Sequence, residues 1–315
     1  MPVLVAVGCS SSLGSLALQR FLLATTERWT VYAAHRSPDP PSWEPTHDRH
    51  DVEWIPLELE SLASVKKFAQ QVTPTRVDLV WLNAAVWDNS APRVVHLGQA
   101  EWTREAVVNC IAQHYLVHLL ADKLACPLPD EDCGVVERAR IVVTTSNLHK
   151  SISTLAQIPL FLRAATPPPP FDDENQSPPE EEEQSTTIPS TSPTPTPKQR
   201  YAASKAAQLL SAFYWRRHFS LLDQEEQEPE PEPEPERGAG VREGQEEEAE
   251  EEEEGAGCSG NGSKRRRRRR RPVDVVAVSP GFVPATNLSR DSTWFVRWLM
   301  RHVVCWFPFA VSVEE

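Results

Sequence analysis

The chain has no uninterrupted apolar run of 18 residues, so the sequence predicts no helix that spans a membrane. It has no basic cluster ahead of its first apolar run, Val3 to Val7, which runs straight into a Gly/Ser turn; this reads as a buried first strand rather than a cleaved leader. Its six cysteines (Cys9, Cys110, Cys126, Cys133, Cys258, Cys305) include no C-x-x-C pair and follow no regular spacing. That pattern argues against both a metal cluster and a disulfide framework. It points to a reducing, cytoplasmic setting, with peripheral contact to an intracellular membrane as a further option.

Two stretches lack the composition of a core. Residues 166–200 are rich in Pro, Ser, Thr and Glu, and residues 221–271 pass from Pro/Glu alternation through a Glu run to the basic run Lys264–Arg271. Neither carries enough apolar side chains to offset the entropy of ordering it, so both read as disordered insertions. They hold more than half of the chain's 45 acidic residues, and the net charge of -13 is largely theirs. Eight adjacent cations resemble a nuclear-import or nucleic-acid patch. With the Glu block just upstream, a self-neutralising polyampholyte is the simpler reading, and no nucleic-acid partner is expected. The remainder, 1–165, 201–220 and 272–315, has the length of one α/β domain.

The apolar segments of that remainder alternate between strand and helix character. Continuous runs at Val3–Val7, Thr30–Ala34, Val52–Leu59, Val77–Leu82, Arg140–Thr145 and Val273–Val278 predict buried parallel strands. Helical periodicity follows at Leu16/Leu18/Phe21/Leu22, from Ser61 to Val72, from Trp102 to Leu124 and from about Tyr201 to Phe219, where Leu209, Leu210, Phe213 and Tyr214 are expected in the core. The fold class is therefore α/β: a Rossmann-type doubly wound parallel sheet with helices on both faces.

Chemistry-bearing residues fall at the ends of these strands. Gly8-Cys9-Ser10-Ser11-Ser12-Leu13-Gly14 turns from strand to helix, either as an ordinary turn or as one whose backbone N–H groups meet a diphosphate. At the end of the second strand, where a carboxylate would grip a ribose 2′-hydroxyl, stands Arg36, suited to a 2′-phosphate or simply to solvent. Asn109 interrupts an otherwise apolar helix face (Val107, Val108, Ile111, Leu116), and a buried Asn needs partners. Ser146 and His149 follow the fifth strand, His149 more as a bystander than as a base. Tyr201 and Lys205 lie one turn apart on one helix face. An ammonium held there favours the phenolate, and a fall of roughly 3 pH units from ~10 would let the phenol exchange protons near neutrality. Trp294–Val311, rich in Trp, Phe and Val, reads as a flap over an apolar substrate, a membrane-docking segment or a subunit contact.

Taken in order, these motifs resemble the short-chain dehydrogenase/reductase superfamily. Its glycine motif falls on Gly8, Ser12 and Gly14, its Asn-Ala-Gly stretch on Asn83-Ala84-Ala85, and its Pro-Gly turn on Pro280-Gly281. Its catalytic Asn, Ser, Tyr and Lys fall on Asn109, Ser146, Tyr201 and Lys205. The stretches Leu57–Leu62, Asn83–Val86 and Ser312–Glu315 are similar to the retinol dehydrogenase and protochlorophyllide reductase branch, and Trp81–Ala84 with Thr144–Ser146 to the 3-ketosteroid reductases. The chain departs from the pattern at Ser12, at Glu58 where the family has Asp, and in ending before a further helix and strand.

The resemblance implies hydride transfer between NADP(H), with NAD the lesser candidate, and a carbonyl or alcohol on an apolar substrate such as a retinoid, steroid or lipid. Cofactor contacts are implied at Gly8, Ser10, Ser12, Leu13, Gly14, Arg36, Glu58, Asn83, Ala84, Ala85, Tyr201, Lys205, Pro280, Gly281, Val283 and Thr286. Tyr201 would exchange the proton, Lys205 would lower its pKa and hold the nicotinamide ribose, Ser146 would bond the substrate oxygen, and Asn109 would position a water leading to Lys205. The rival is a nucleotide-binding scaffold without turnover, whose charged insertions recruit partners.

Overall fold

A computed structural model describes residues 1–10, 12–37, 49–89, 91–127, 137–164, 194–225 and 270–280. Six strands, β1 (Val3–Val7), β2 (Thr30–His35), β3 (Asp51–Pro56), β4 (Leu79–Leu82), β7 (Ala139–Thr144) and β8 (Val273–Val278), form one sheet in the order β3-β2-β1-β4-β7-β8. Every pairing in it is parallel. The order reverses between β1 and β4, and in open sheets of this kind ligands bind outside the carboxyl ends of the strands at that switch point.

Strand alternation sends side chains to two separate cores. Leu4, Ala6, Val31 and Ala33 pack under α1 (Ser12–Ala24) through its Leu18 and Leu22. On the opposite face Val3, Val5, Val7, Val80, Leu82, Ile141 and Val143 meet α2 (Leu62–Gln71), α4 (Ala112–Leu124) and α6 (Pro197–Glu225). The continuous apolar runs of the sequence are thus strands buried on both faces, as the doubly wound reading requires. Ser61 starts α2 as its N-cap, its side chain accepting from Ser64 N–H.

The stretch expected to be helical from Trp102 begins differently. Val94–Leu97 (β5) and Ala100–Thr103 (β6) form a small antiparallel hairpin, turning at Gly98 with φ +64°. Thr103 then caps α3 (Arg104–Ala106), which runs through a π-helical turn (Val107–Ile111) into α4. Helical periodicity and strand alternation are indistinguishable over four residues, so this boundary was hidden.

α6 also departs from expectation. It begins at Pro197, inside the stretch read as an insertion, and runs past Phe219 to Glu225. Its buried face carries Tyr201, Ser204, Lys205, Gln208, Ala212, Trp215 and Phe219. Leu210, Phe213 and Tyr214, expected in the core, are exposed, and Leu209 is half-buried. The inward stripe runs from Tyr201, Ser204, Lys205 and Gln208 to Ala212, Trp215 and Phe219, so its first half is polar and the apolar residues at 209, 210, 213 and 214 fall to one side of it.

Arg271, read as the end of the basic run, is buried at the amino end of the sheet, 2.6 Å from Asp78 and bonded to the carbonyls of Val77, Glu137 and Arg138. No helix among the described residues is long and apolar enough to cross a membrane. The insertion segments 165–193 and 226–269 and the aromatic segment Trp294–Val311 lie outside the described residues.

Candidate active site

Three loops meet at the switch point. After β1 the backbone turns at Gly8 with φ +84°, a conformation open chiefly to glycine. A Cβ there would come within 2.7 Å of the Asn83 carbonyl carbon, and one on Gly14 within 2.6 Å of Asn83 Nδ2. Asn83 fastens the two loops, its Nδ2 donating to Gly8 O at 2.9 Å and its backbone N–H to Val7 O at 2.8 Å. The glycine turn and the Asn83-Ala84-Ala85 loop therefore form one closely packed cradle, with α1 beginning at Ser12 behind it.

The other predicted positions divide. Arg36 is exposed one residue past β2, at the carboxyl end of that strand. Glu58 lies beyond the end of β3, and its Oε1 accepts from Glu60 N–H at 3.0 Å, shaping the turn into α2. Ser10, Leu13 and Pro280 fall in or beside the loops after β1 and β8. Gly281, Val283 and Thr286 lie outside the described residues.

Beside the cradle, the ends of β7 and α6 converge. Ser146 caps a 3₁₀ turn (Asn147–Ser151), its Oγ accepting from Leu148 N–H at 3.3 Å, and its hydroxyl lies near enough to the Tyr201 phenol to favour the phenolate. Fifty-five residues apart in sequence, these two groups come near each other because α6 packs across that turn. His149, considered as an extra base, is tied back through Nδ1 to the Ser146 carbonyl at 2.5 Å. The Trp87 ring stacks on Tyr201 with centroids 4.8 Å apart and planes 15° from parallel.

Lys205 is fully buried on the same helix, its Nζ 5.8 Å from the Tyr201 ring centroid. It donates to Thr144 O at 2.9 Å and to Gln208 Oε1 at 2.8 Å. Burial pushes its pKa down to about 7, opposed only by the nearby Cys110. Burial likewise pushes the Tyr201 phenol up to about 12, the nearby Ser146 hydroxyl offsetting part of the rise. This reverses the expected depression of the phenol: the cost of burying a phenolate exceeds any help from a lysine turned toward Thr144 and Gln208.

Asn109 is buried where expected but faces another way. Its Oδ1 accepts from Val86 N–H at 2.7 Å, and its Nδ2 donates to Val86 O and to Ser204 Oγ, each at 2.9 Å. Both hydrogens of its amide are committed to clamping the loop after β4 onto α6.

Several supporting residues escaped sequence reasoning. Arg200, just before Tyr201, is buried and donates to Glu105 Oε1 at 3.1 Å and to the carbonyls of Pro195 and Asp88 at 3.0 Å. Arg104 meets Glu60 at 2.7 Å nearby. Gln208 bonds Gln113 as well as Lys205. Arg200 and Gln208, next to Tyr201 and one turn beyond Lys205, share the helix with the pair. That proximity was the available signal, but polar residues there read equally well as a solvated face.

The parallel strand order and the glycine turn at its switch point define a Rossmann-type fold. The chain is similar to a curated short-chain dehydrogenase/reductase of Pestalotiopsis microspora, 28% identical over 225 residues that cover 68% of this chain. It spans 64% of the length of that relative. Among solved structures it is similar to a short-chain dehydrogenase of Burkholderia cenocepacia in complex with NADP, 14% identical with a TM-score of 0.47, covering 99% of this chain and 87% of that one. It is also similar to an alcohol dehydrogenase of Thermococcus sibiricus complexed with 5-hydroxy-NADP, 17% identical with a TM-score of 0.42, covering 69% and 71%. No protein-family model matches the chain.

Proposed function

We propose that the chain is an NADP(H)-dependent oxidoreductase that reduces a carbonyl on an apolar substrate, of retinoid, steroid or lipid type. The observation that carries this reading is the gathering of Tyr201, Ser146 and buried Lys205 beside the cradle of Gly8 and Asn83–Ala85. The cradle fits a dinucleotide: its two glycine positions leave no room for a side chain, and a helix starts directly behind it. Arg36, at the end of β2, suits a 2′-phosphate and favours NADP over NAD.

When bound, the cofactor supplies the hydride. Ser146 holds the substrate oxygen, and Tyr201 donates a proton to that oxygen. A phenol with a pKa of about 12 is fully protonated at neutral pH. It therefore rests in the form that reduction requires and is still a far stronger acid than an alcohol. Lys205, its pKa brought down by burial, is the neighbouring amine on the same helix face.

A second reading, nucleotide binding without turnover, is favoured by the same elevated phenol and by the commitment of Lys205 to Thr144 and Gln208. NADPH consumption with a panel of apolar ketones and aldehydes separates the two. Reduction of at least one member is expected; tight NADPH binding with no consumption across the panel would support the scaffold. Fluorescence titration tests Arg36: Arg36→Asp is expected to weaken NADPH binding by about tenfold or more while sparing NADH. Equal effects on both would contradict the 2′-phosphate role.

A further inference from the structure

Lys205 is joined to the cradle by a chain of side-chain amides that no sequence motif marks. Gln113 Nε2 donates to the carbonyls of Ala84 and Val108, each at 2.8 Å. Both partners can only accept, so the amide must present its NH₂ to them and its oxygen to the other side. That oxygen accepts from Gln208 Nε2 at 3.1 Å, which leaves Gln208 Oε1 facing Lys205 at 2.8 Å. The orientation of both amides is thereby fixed from the Ala84 end. Gln113 is 1% exposed and Gln208 3%, so water does not compete for these bonds.

We propose that Gln208 and Gln113 are positioning residues for the proton-transfer pair, a polarised amide relay that presents an oxygen to Lys205 and ties the lysine to the Ala84 carbonyl of the cradle. The inference rests on the reading of Tyr201 and Lys205 as that pair. A neutral acceptor favours the ammonium without locking it, as a carboxylate at the same distance would. The amine is held in place whether or not it has lost a proton, since the neutral amine still donates to Gln208 Oε1. The relay runs beside Asn109, whose amide hydrogens go to Val86 O and Ser204 Oγ.

Among the described residues, the titratable groups packed around Lys205 are Cys110, from the π turn, and Tyr201, on its own helix. β7 contributes the Thr144 carbonyl, and α4 acts through Gln113. Burial pushes Cys110 up to about 12, as it does Tyr201, so a titration near neutrality at this site belongs to Lys205.

The test is the Lys205 titration itself, read by NMR on protein labelled at lysine Cε and Nζ and assigned by the resonance missing in Lys205→Met. Gln208→Glu is expected to move the midpoint alkaline by about one pH unit or more, and Gln208→Leu to move it acid by a similar amount. Gln208→Asn keeps the direction of the dipole and should restore a midpoint close to wild type. Gln113→Leu, remote from the lysine, should shift it the same way as Gln208→Leu. The neutral limb of the pH profile of NADPH-dependent reduction is expected to follow these midpoints. Midpoints unchanged in Gln208→Glu and Gln113→Leu would overturn the relay. Midpoints that move as expected in these variants, with no NADPH consumption by the wild type, would uphold the relay and sink the oxidoreductase reading instead.

Discussion

Tyr201 and Lys205 give up water together on folding, and each moves toward its neutral form: the phenol to about 12, the amine to about 7. In an unfolded chain the lysine titrates near ~10.4. Between pH 7 and about 10 the unfolded chain therefore holds a proton that the folded chain has released. The burial penalty of Lys205 is fully present below pH 7 and is relieved as pH rises through that window. Above about pH 10 Tyr201 acts the other way, because the unfolded phenol ionises first. Urea unfolding at pH 6 and pH 9 should show wild type gaining roughly 2 kcal/mol on Lys205→Met between the two pH values. Parallel pH dependences would mean that Lys205 is not buried as described. The sequence placed Tyr201 and Lys205 on one helix face, and periodicity alone sufficed for that. It did not carry the direction of their pKa shifts, which burial sets through tertiary packing.

The start of α6 is where the site is held to the rest of the fold. Arg200 and Glu105 form an ion pair with side chains 1% and 0% exposed. Burial raises the Glu105 pKa against the pull of Arg200, and its Oε2 finds no partner among the described residues. Such a pair contributes little net stability, but breaking it leaves an isolated buried charge. Arg200→Met is expected to cost about 3–5 kcal/mol in denaturant unfolding, and adding Glu105→Leu to recover most of that. A single-variant loss below about 1 kcal/mol would show that the pair is solvated in solution. None of this was legible in advance: Arg104, Glu105 and Arg200 are charged residues that any surface helix could carry. The hairpin of β5 and β6 was missed because four alternating residues do not separate a strand from a helix start. The six strands of the sheet were legible because burial on both faces makes their composition continuous and apolar.

At the scale of the molecule, the sheet sets cradle and acid–base residues at one end and an anchor of charge at the other. Val3 N–H, Arg76 and Arg271 converge on Asp78 and hold its pKa below the usual carboxylate range despite partial burial. Arg271 hid within a run of like charges whose other members carried the compositional signal. Because Arg271 and β8 are registered against β7, replacing residues 228–266 with a short Gly/Ser linker should preserve the fold and cofactor binding, since loop closure depends only weakly on length. Loss of the cooperative melt in that variant would give the segment a structural role. The central claim is that polar groups gathered at the switch point transfer a proton to a carbonyl. Single-turnover oxidation of saturating NADPH by an apolar ketone, comparing wild type with Tyr201→Phe, tests it most directly. The account predicts a rate about 10²–10⁴-fold lower in the variant with NADPH affinity retained; equal rates would contradict it.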